Sequence, residues 1–231
     1  MQVVILAGGL AARLGERTRS IPKALLPIAG RPFLAWQLEA LRRSGFSEVL
    51  LCIAHLGGQI RDFLGDGAAF GVTVAYSEDG PQLLGTGGAL RRALALLAPR
   101  FLVTYGDSYL PFDYSAPLRD LETHTEALGT MSVFENVGAW DDSNTEVSGE
   151  HVTRYEKGST DPALRYIDYG AIALCRDVIA ERPAESAFGL DRLQSELARL
   201  GKLRAYTATE RFYEVGSELG IRDLEAKLAA R

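Results

Sequence analysis

The sequence predicts an α/β fold, a mixed, mainly parallel sheet with helices on both faces. Two observations carry that prediction. Short apolar runs alternate with segments of helical spacing through roughly the first hundred residues. The runs at 2–6 and 101–105 each give way to a glycine-bearing loop, Gly8-Gly9 and Gly106-Asp107. Right-handed crossovers place both loops along one sheet edge, where ligands bind in such folds.

The run 2–6 is β-rich and reads as the first strand. Over 32–44 apolar residues recur at Phe33, Trp36, Leu38 and Leu41, which is helical spacing. Pro32 suits a first helical position and Gly45 a C-terminal stop. A buried strand follows over 48–54, then a short helix over 59–64 and a strand over 72–77. An Ala- and Leu-rich helix over 88–97 leads to the fourth strand, 101–105. Beyond Asp107 the pattern changes. Strands are predicted at 130–134, 151–155, 167–174 and 203–206, with helices at 191–200 and 218–230. The polar run 138–149 reads as a loop. No repeat, low-complexity tract or linker interrupts the chain, so one domain over 1–231 is expected.

The formal charge of −5 argues against general binding to nucleic acid or an anionic membrane, but allows a local basic pocket for phosphates. No stretch approaches the roughly 20 apolar residues of a membrane span, and the start lacks the pattern of a secretory leader. A cytoplasmic protein is expected. Cys52 and Cys175 lie in apolar runs and read as buried, reduced thiols. His55, His124 and His151 lack metal-ligand spacing.

Three segments carry candidate chemistry. In Leu6-Ala7-Gly8-Gly9, followed by Arg13 and Lys23, two glycines let the backbone approach a phosphate chain closely. Its N–H groups can cradle phosphate oxygens, and the cations add charge-assisted contacts. The segment is neither G-x-G-x-x-G nor a P-loop. In 78–89, Gly85, Gly87 and Gly88 leave room for a flat base or ribose, and Thr86 is placed to hydrogen-bond or cap a helix. Asp107, just past the fourth strand, is placed to bind Mg2+ beside phosphates. Each segment alone also fits an ordinary turn. Trp140 and Tyr169 suit either a sugar-stacking surface or the core.

Together the segments resemble the nucleotidyltransferases that act on sugar 1-phosphates. The family's L-A-G-G-x-G-T-R-L and P-K-x-x-x-P motifs resemble residues 6–14 and 22–27. Its L-G-T-G-G-A-L pattern resembles 84–90, and its G-D resembles Gly106-Asp107. The F-x-E-K segment that contacts the sugar phosphate resembles Tyr155-Glu156-Lys157, and N-x-G near the sugar resembles Asp168-Tyr169-Gly170. The metal-binding D-x-G-T resembles Glu214-Val215-Gly216-Ser217. The plan is most similar to the short bacterial heptose 1-phosphate guanylyltransferases and N-acetylmuramic acid 1-phosphate uridylyltransferases.

The resemblance implies a three-layer Rossmann-like (GT-A-like) fold, with a nucleotide-binding half at 1–110 and a sugar-binding half at 111–231. It implies catalytic roles for Arg13 on the leaving pyrophosphate, Lys23 on the α-phosphate and Asp107, which with Glu214 holds Mg2+. Leu6, Ala7, Gly8, Gly9, Glu78, Gly85, Thr86 and Gly88 are then expected along the nucleotide. Lys157 is expected on the sugar phosphate, with Glu156, Asn144, Asp168 and Gly170 around the sugar. The implied reaction is in-line attack of a sugar 1-phosphate on the α-phosphorus of an NTP, GTP or UTP, releasing pyrophosphate. Three positions depart from the pattern: Ala11 and Ala12 replace glycine and threonine, and Glu214 replaces aspartate. Two other classes remain open, a cytidylyltransferase for a non-sugar alcohol phosphate and a catalytically weak nucleotide-binding regulator.

Overall fold

The computed structural model describes residues 1–9, 14–15, 18–80, 82–184 and 187–230. Four parallel strands form the first part of its main sheet. These are β1 (Gln2–Leu6), β4 (Glu48–Ile53), β5 (Thr73–Glu78) and β6 (Arg100–Tyr105), ordered β5-β4-β1-β6. A small hairpin of β2 (Pro27–Ile28) and β3 (Arg31–Pro32) lies between β1 and β4 in the chain.

The second part continues from β6 through β11 (Tyr166–Cys175), β8 (Gly129–Glu135), β12 (Leu203–Ala208), β10 (His151–Tyr155) and β9 (Thr145–Ser148), giving nine strands. Here the strands are mostly antiparallel; among the described residues only β8 and β12 pair in parallel. The sheet is mixed, as expected, but it is not mainly parallel, because its second part is largely antiparallel. The reason is connection length: β9 and β10 turn directly about Gly149, and so short a link can join only antiparallel strands. The polar run read as a loop over 138–149 contains β9, which pairs with β10 and, at Thr145, with Tyr166 of β11.

Strand alternation divides the core in two. Val3 and Ile5 point into one apolar cluster, Val4 and Leu6 into the other. The first cluster is covered by α1 (Phe33–Arg43), α2 (Gly57–Leu64), α4 (Ala116–Thr123) and α7 (Glu218–Ala229). The second is covered by α3 (Gly85–Arg92), α5 (Asp177–Ala180) and α6 (Leu190–Arg199). Helices therefore pack on both faces, as expected. Cys52 is buried and Cys175 only partly so; both are free thiols. No helix among the described residues is long and apolar enough to cross a membrane.

Register aligns the ends of β1 and β6, with Leu6 beside Tyr105. The Gly106 N–H donates to the Leu6 carbonyl at 2.9 Å, and the Ala7 N–H to the Cys52 carbonyl at 2.8 Å. The two glycine-bearing loops thus open on one edge. A further pair, β7 (Ser108–Tyr109) with β13 (Tyr213–Glu214), brings the end of the chain to that edge.

Candidate active site

A cleft of about 600 Å3 lies along this edge. At one end its wall is Leu6, Ala7, Gly8, Gly9, Asp79, Gly85 and Thr86; at the other, Asn144, Lys157, Asp168 and Gly170; Lys23, Asp107 and Glu214 also line it. Most of the residues expected from sequence meet here. Glu78, Gly88 and Glu156 are not on the wall among the described residues, and Arg13 lies outside those residues.

Each displacement has a local cause. Glu78 ends β5 and reaches Arg61 at 3.9 Å, out in solvent. Successive strand residues face opposite ways, so its neighbour Asp79 is the one buried against the cleft. Burial pushes the Asp79 carboxyl up, opposed by the Leu84 N–H and by Arg92. The helix expected from 88 starts at Gly85, so Gly88 lies inside its first turn. The Gly87 and Gly88 N–H groups both donate to the Phe188 carbonyl, at 2.9 and 3.1 Å. A methyl at Gly87 would strike the Phe188 ring, so that glycine serves helix packing. The Thr86 hydroxyl accepts from the Leu190 N–H at 2.7 Å, which ties α3 to the start of α6. Glu156 pairs with Arg154 at 2.7 Å on the outer surface.

Lys23, Asp107 and Glu214 form one charged part of the wall. Lys23 follows Pro22, whose extended backbone leads into a short 3-10 turn. Its Nζ donates to Asp107 Oδ2 at 3.0 Å. The pairing of β7 with β13 places Glu214 opposite Ser108, and the Val215 N–H donates to the Asp107 carbonyl at 2.9 Å. Glu214 touches the solvent of the cleft, yet the surrounding walls leave it poorly hydrated. That partial desolvation of an otherwise exposed residue, followed by the charges of Asp107 and Asp141, pushes its carboxyl up to about 7, against the pull of Lys23. Hard carboxylate oxygens short of positive charge fit a divalent cation. Mg2+ commonly takes one or two carboxylates and completes its shell with phosphate and water. Among the described residues no three His, Cys, Asp or Glu side chains gather as a protein-only metal cage.

The far end is built on β11. Asp168 Oδ1 accepts from the Gly170 N–H at 3.0 Å, and Oδ2 from Gln194 Nε2 at 2.8 Å and the Tyr155 hydroxyl at 3.4 Å. Burial raises this carboxyl; the donors and nearby Lys157 oppose the rise. Asn144 Oδ1 accepts from the Asp168 N–H at 2.9 Å, so its carbonyl side fixes β11. Trp140 lies under the Arg211 guanidinium at 3.8 Å, and Tyr169 is in the core against Phe112. Asp79, Phe188 and Gln194 were not singled out from sequence. Gln194 carried a signal, being a polar residue in the apolar stripe Leu190, Leu193, Leu197.

Residues 3–138 match the family described as the MobA-like NTP transferase domain. The N-acetylmuramate alpha-1-phosphate uridylyltransferase of Neisseria meningitidis is 43% identical over 117 residues, 50% of this chain and 51% of that protein. The alignment thus spans about half of that relative's length. The D-glycero-alpha-D-manno-heptose 1-phosphate guanylyltransferase of Campylobacter jejuni is 28% identical over 218 residues, 94% of this chain and 95% of that one. HddC from Yersinia pseudotuberculosis superimposes with a TM-score of 0.80 at 26% identity, covering 98% of this chain and 99% of its own. A second structure of HddC is complexed with GMP-PN.

Proposed function

We propose, from the premise that this chain belongs to the family of MobA-like NTP transferase domains, that it joins an NTP to a sugar 1-phosphate, giving an NDP-sugar and pyrophosphate. One observation carries the reading. Lys23, Asp107 and Glu214 line the same cleft as the Gly8-Gly9 backbone and the Lys157–Asp168 end. A phosphate chain and a sugar phosphate entering that cleft come together at those charges.

The nucleotide lies along 6–9 and 85–86, in the half 1–110, and the sugar phosphate in the half 111–231. A side chain at Gly9 would meet nothing within 4 Å, so the backbone there is open to a phosphate chain. Lys157 holds the sugar phosphate, and Asp168 and Gly170 orient the sugar. Lys23 takes the α-phosphate, and Arg13 the leaving pyrophosphate. Asp107 and Glu214 would hold Mg2+, which when bound neutralises charge on the phosphate oxygens. The remaining chemistry is positioning: a sugar phosphate oxygen attacks in line, and no side chain forms a covalent bond. GTP or UTP is the expected donor; the relative aligned over 94% of the chain is a guanylyltransferase, and the one aligned over half is a uridylyltransferase.

Pyrophosphate release tests the proposal, with Mg2+, each NTP in turn and a panel of hexose and heptose 1-phosphates. Release that needs both one NTP and one sugar phosphate is expected. Asp107→Ala, with an unchanged circular dichroism spectrum, is expected to lose about a hundredfold or more of that rate. No release with any pair, while an NTP still raises the melting temperature, would favour a nucleotide-binding regulator instead.

A further inference from the structure

We infer that the sugar end of the cleft is built to refuse sugar acids, so that the acceptor is a 1-phosphate of a neutral or amino sugar, with Asp168 as the specificity-determining residue and Asp141 in support. The inference rests on the sugar 1-phosphate reading above.

The charge count of the wall comes first. Among the described residues, five carboxylates line the cleft, Asp79, Asp107, Asp141, Asp168 and Glu214, against two cations, Lys23 and Lys157. Lys23 is engaged at Asp107. Lys157 is therefore the cation left for an incoming sugar phosphate. Once the phosphate has taken it, a second anion on the sugar meets Asp168 and Asp141 with no described lining cation to pair with.

Asp168 cannot turn away from such an anion. Its two oxygens are each held by an N–H donor, Oδ1 by Gly170 N at 3.0 Å and Oδ2 by Gln194 Nε2 at 2.8 Å. Its own N–H is held by Asn144 Oδ1. The pairing of β11 with β8 shifts register between Asp168 and Ile172, and Gly170 takes a φ of +98° within that shift. This left-handed residue aims its N–H back at the carboxylate two positions earlier, which a side-chain-bearing residue would do only under strain. An amide N–H donates and cannot accept, so both carboxyl oxygens are held as hydrogen-bond acceptors. What remains for the ligand is a set of acceptor lone pairs. Sugar hydroxyls and an ammonium group donate to them; a carboxylate is repelled.

The test uses matched pairs of acceptors that differ by one carboxylate. These are glucose 1-phosphate against glucuronic acid 1-phosphate, and N-acetylglucosamine 1-phosphate against N-acetylglucosaminuronic acid 1-phosphate. kcat/KM is read from pyrophosphate release with Mg2+ and the preferred NTP. The acid of each pair that turns over is expected to be worse by about tenfold or more, from one like-charge contact in a partly desolvated site. Asp168→Asn and Asp141→Asn are expected to narrow that ratio. Equal use of acid and neutral twin would overturn the inference while leaving the activity intact. A preserved ratio in the folded variants would also overturn it, and Asp141→Asn on the exposed loop decides if Asp168→Asn does not fold. Turnover with no sugar 1-phosphate would overturn the activity reading, and this inference with it.

Discussion

Glu214 shows how a single residue can be costly to the fold and useful to the site. Without a metal its carboxyl, although exposed on the cleft wall, is partly desolvated by the residues around it and feels the charge of Asp107, and both effects favour the protonated form, placing its pKa at about 7 against 4.5 for an ordinary glutamate. The folded protein therefore binds this proton more tightly than the unfolded chain does. Its stabilising contribution is fully present below pH 4.5 and is lost as the pH rises through about 7. Urea midpoints in EDTA are expected to fall for the wild type, relative to Glu214→Gln, between pH 5 and 8. Parallel curves for the two proteins would show that Glu214 ionises without penalty. The same shortage of positive charge is what a divalent cation would relieve.

Elements are held together by a second set of charges, far from the cleft. Asp120 on α4 accepts from Arg204 Nε and Nη2 on β12, at 2.8 and 3.0 Å, and from the Thr130 hydroxyl on β8 at 2.8 Å. Burial alone would push the Asp120 carboxyl up, but these donors outweigh it and hold the group below the usual carboxylate range. Arg204 is buried, with 6% of its side chain exposed, and its other partner, Glu150, is largely in solvent. Asp120→Ala leaves that guanidinium short of its main partner, and a loss on the order of 3 kcal/mol is expected in urea unfolding. A loss below about 1 kcal/mol would mean that Glu150 compensates. None of this joint was legible in the sequence, where α4 itself went unread: Pro117 and a mixed polar run mask its period. Periodicity revealed β1, α1, β4 and β6 because their burial is continuous or one-sided. It could not reveal β13, two residues defined by pairing with β7, or the direction of β11 and β12. The site followed the same division. That Gly8-Gly9 and Asp107 share one edge was legible because adjoining strands end together, and the role of Lys23 came from the resemblance, whereas which of Glu78 and Asp79 lines the cleft needed the strand's facing.

At the scale of the whole molecule, the change of pattern near residue 110 does not mark a break in the structure. β6 pairs with β11 over five residues, and Thr104 Oγ1 donates to the Gly170 carbonyl at 2.9 Å. One apolar cluster contains Val3, Phe33 and Leu102 together with Tyr169, Ala173 and Leu224. Near the start of the chain the Ala29 N–H donates to Glu225 Oε1 on the last helix, at 3.1 Å. Removing either half would uncover a sheet face and an open strand edge, so the two are expected to unfold together. The two tryptophans make this measurable. Trp36 lies on α1, with Nε1 donating to the Ile28 carbonyl, and Trp140 lies in the loop under Arg211 on the other side of residue 110. In Trp140→Phe the fluorescence reports the first half, and in Trp36→Phe it reports the second. Each substitution shifts stability somewhat, so each variant's fluorescence transition is compared with its own far-ultraviolet circular dichroism transition. Coincidence of the two probes in both variants is expected of one cooperative unit. A fluorescence midpoint displaced from the backbone midpoint in either variant would show that the halves melt separately, and that the cleft between them is a junction of two units.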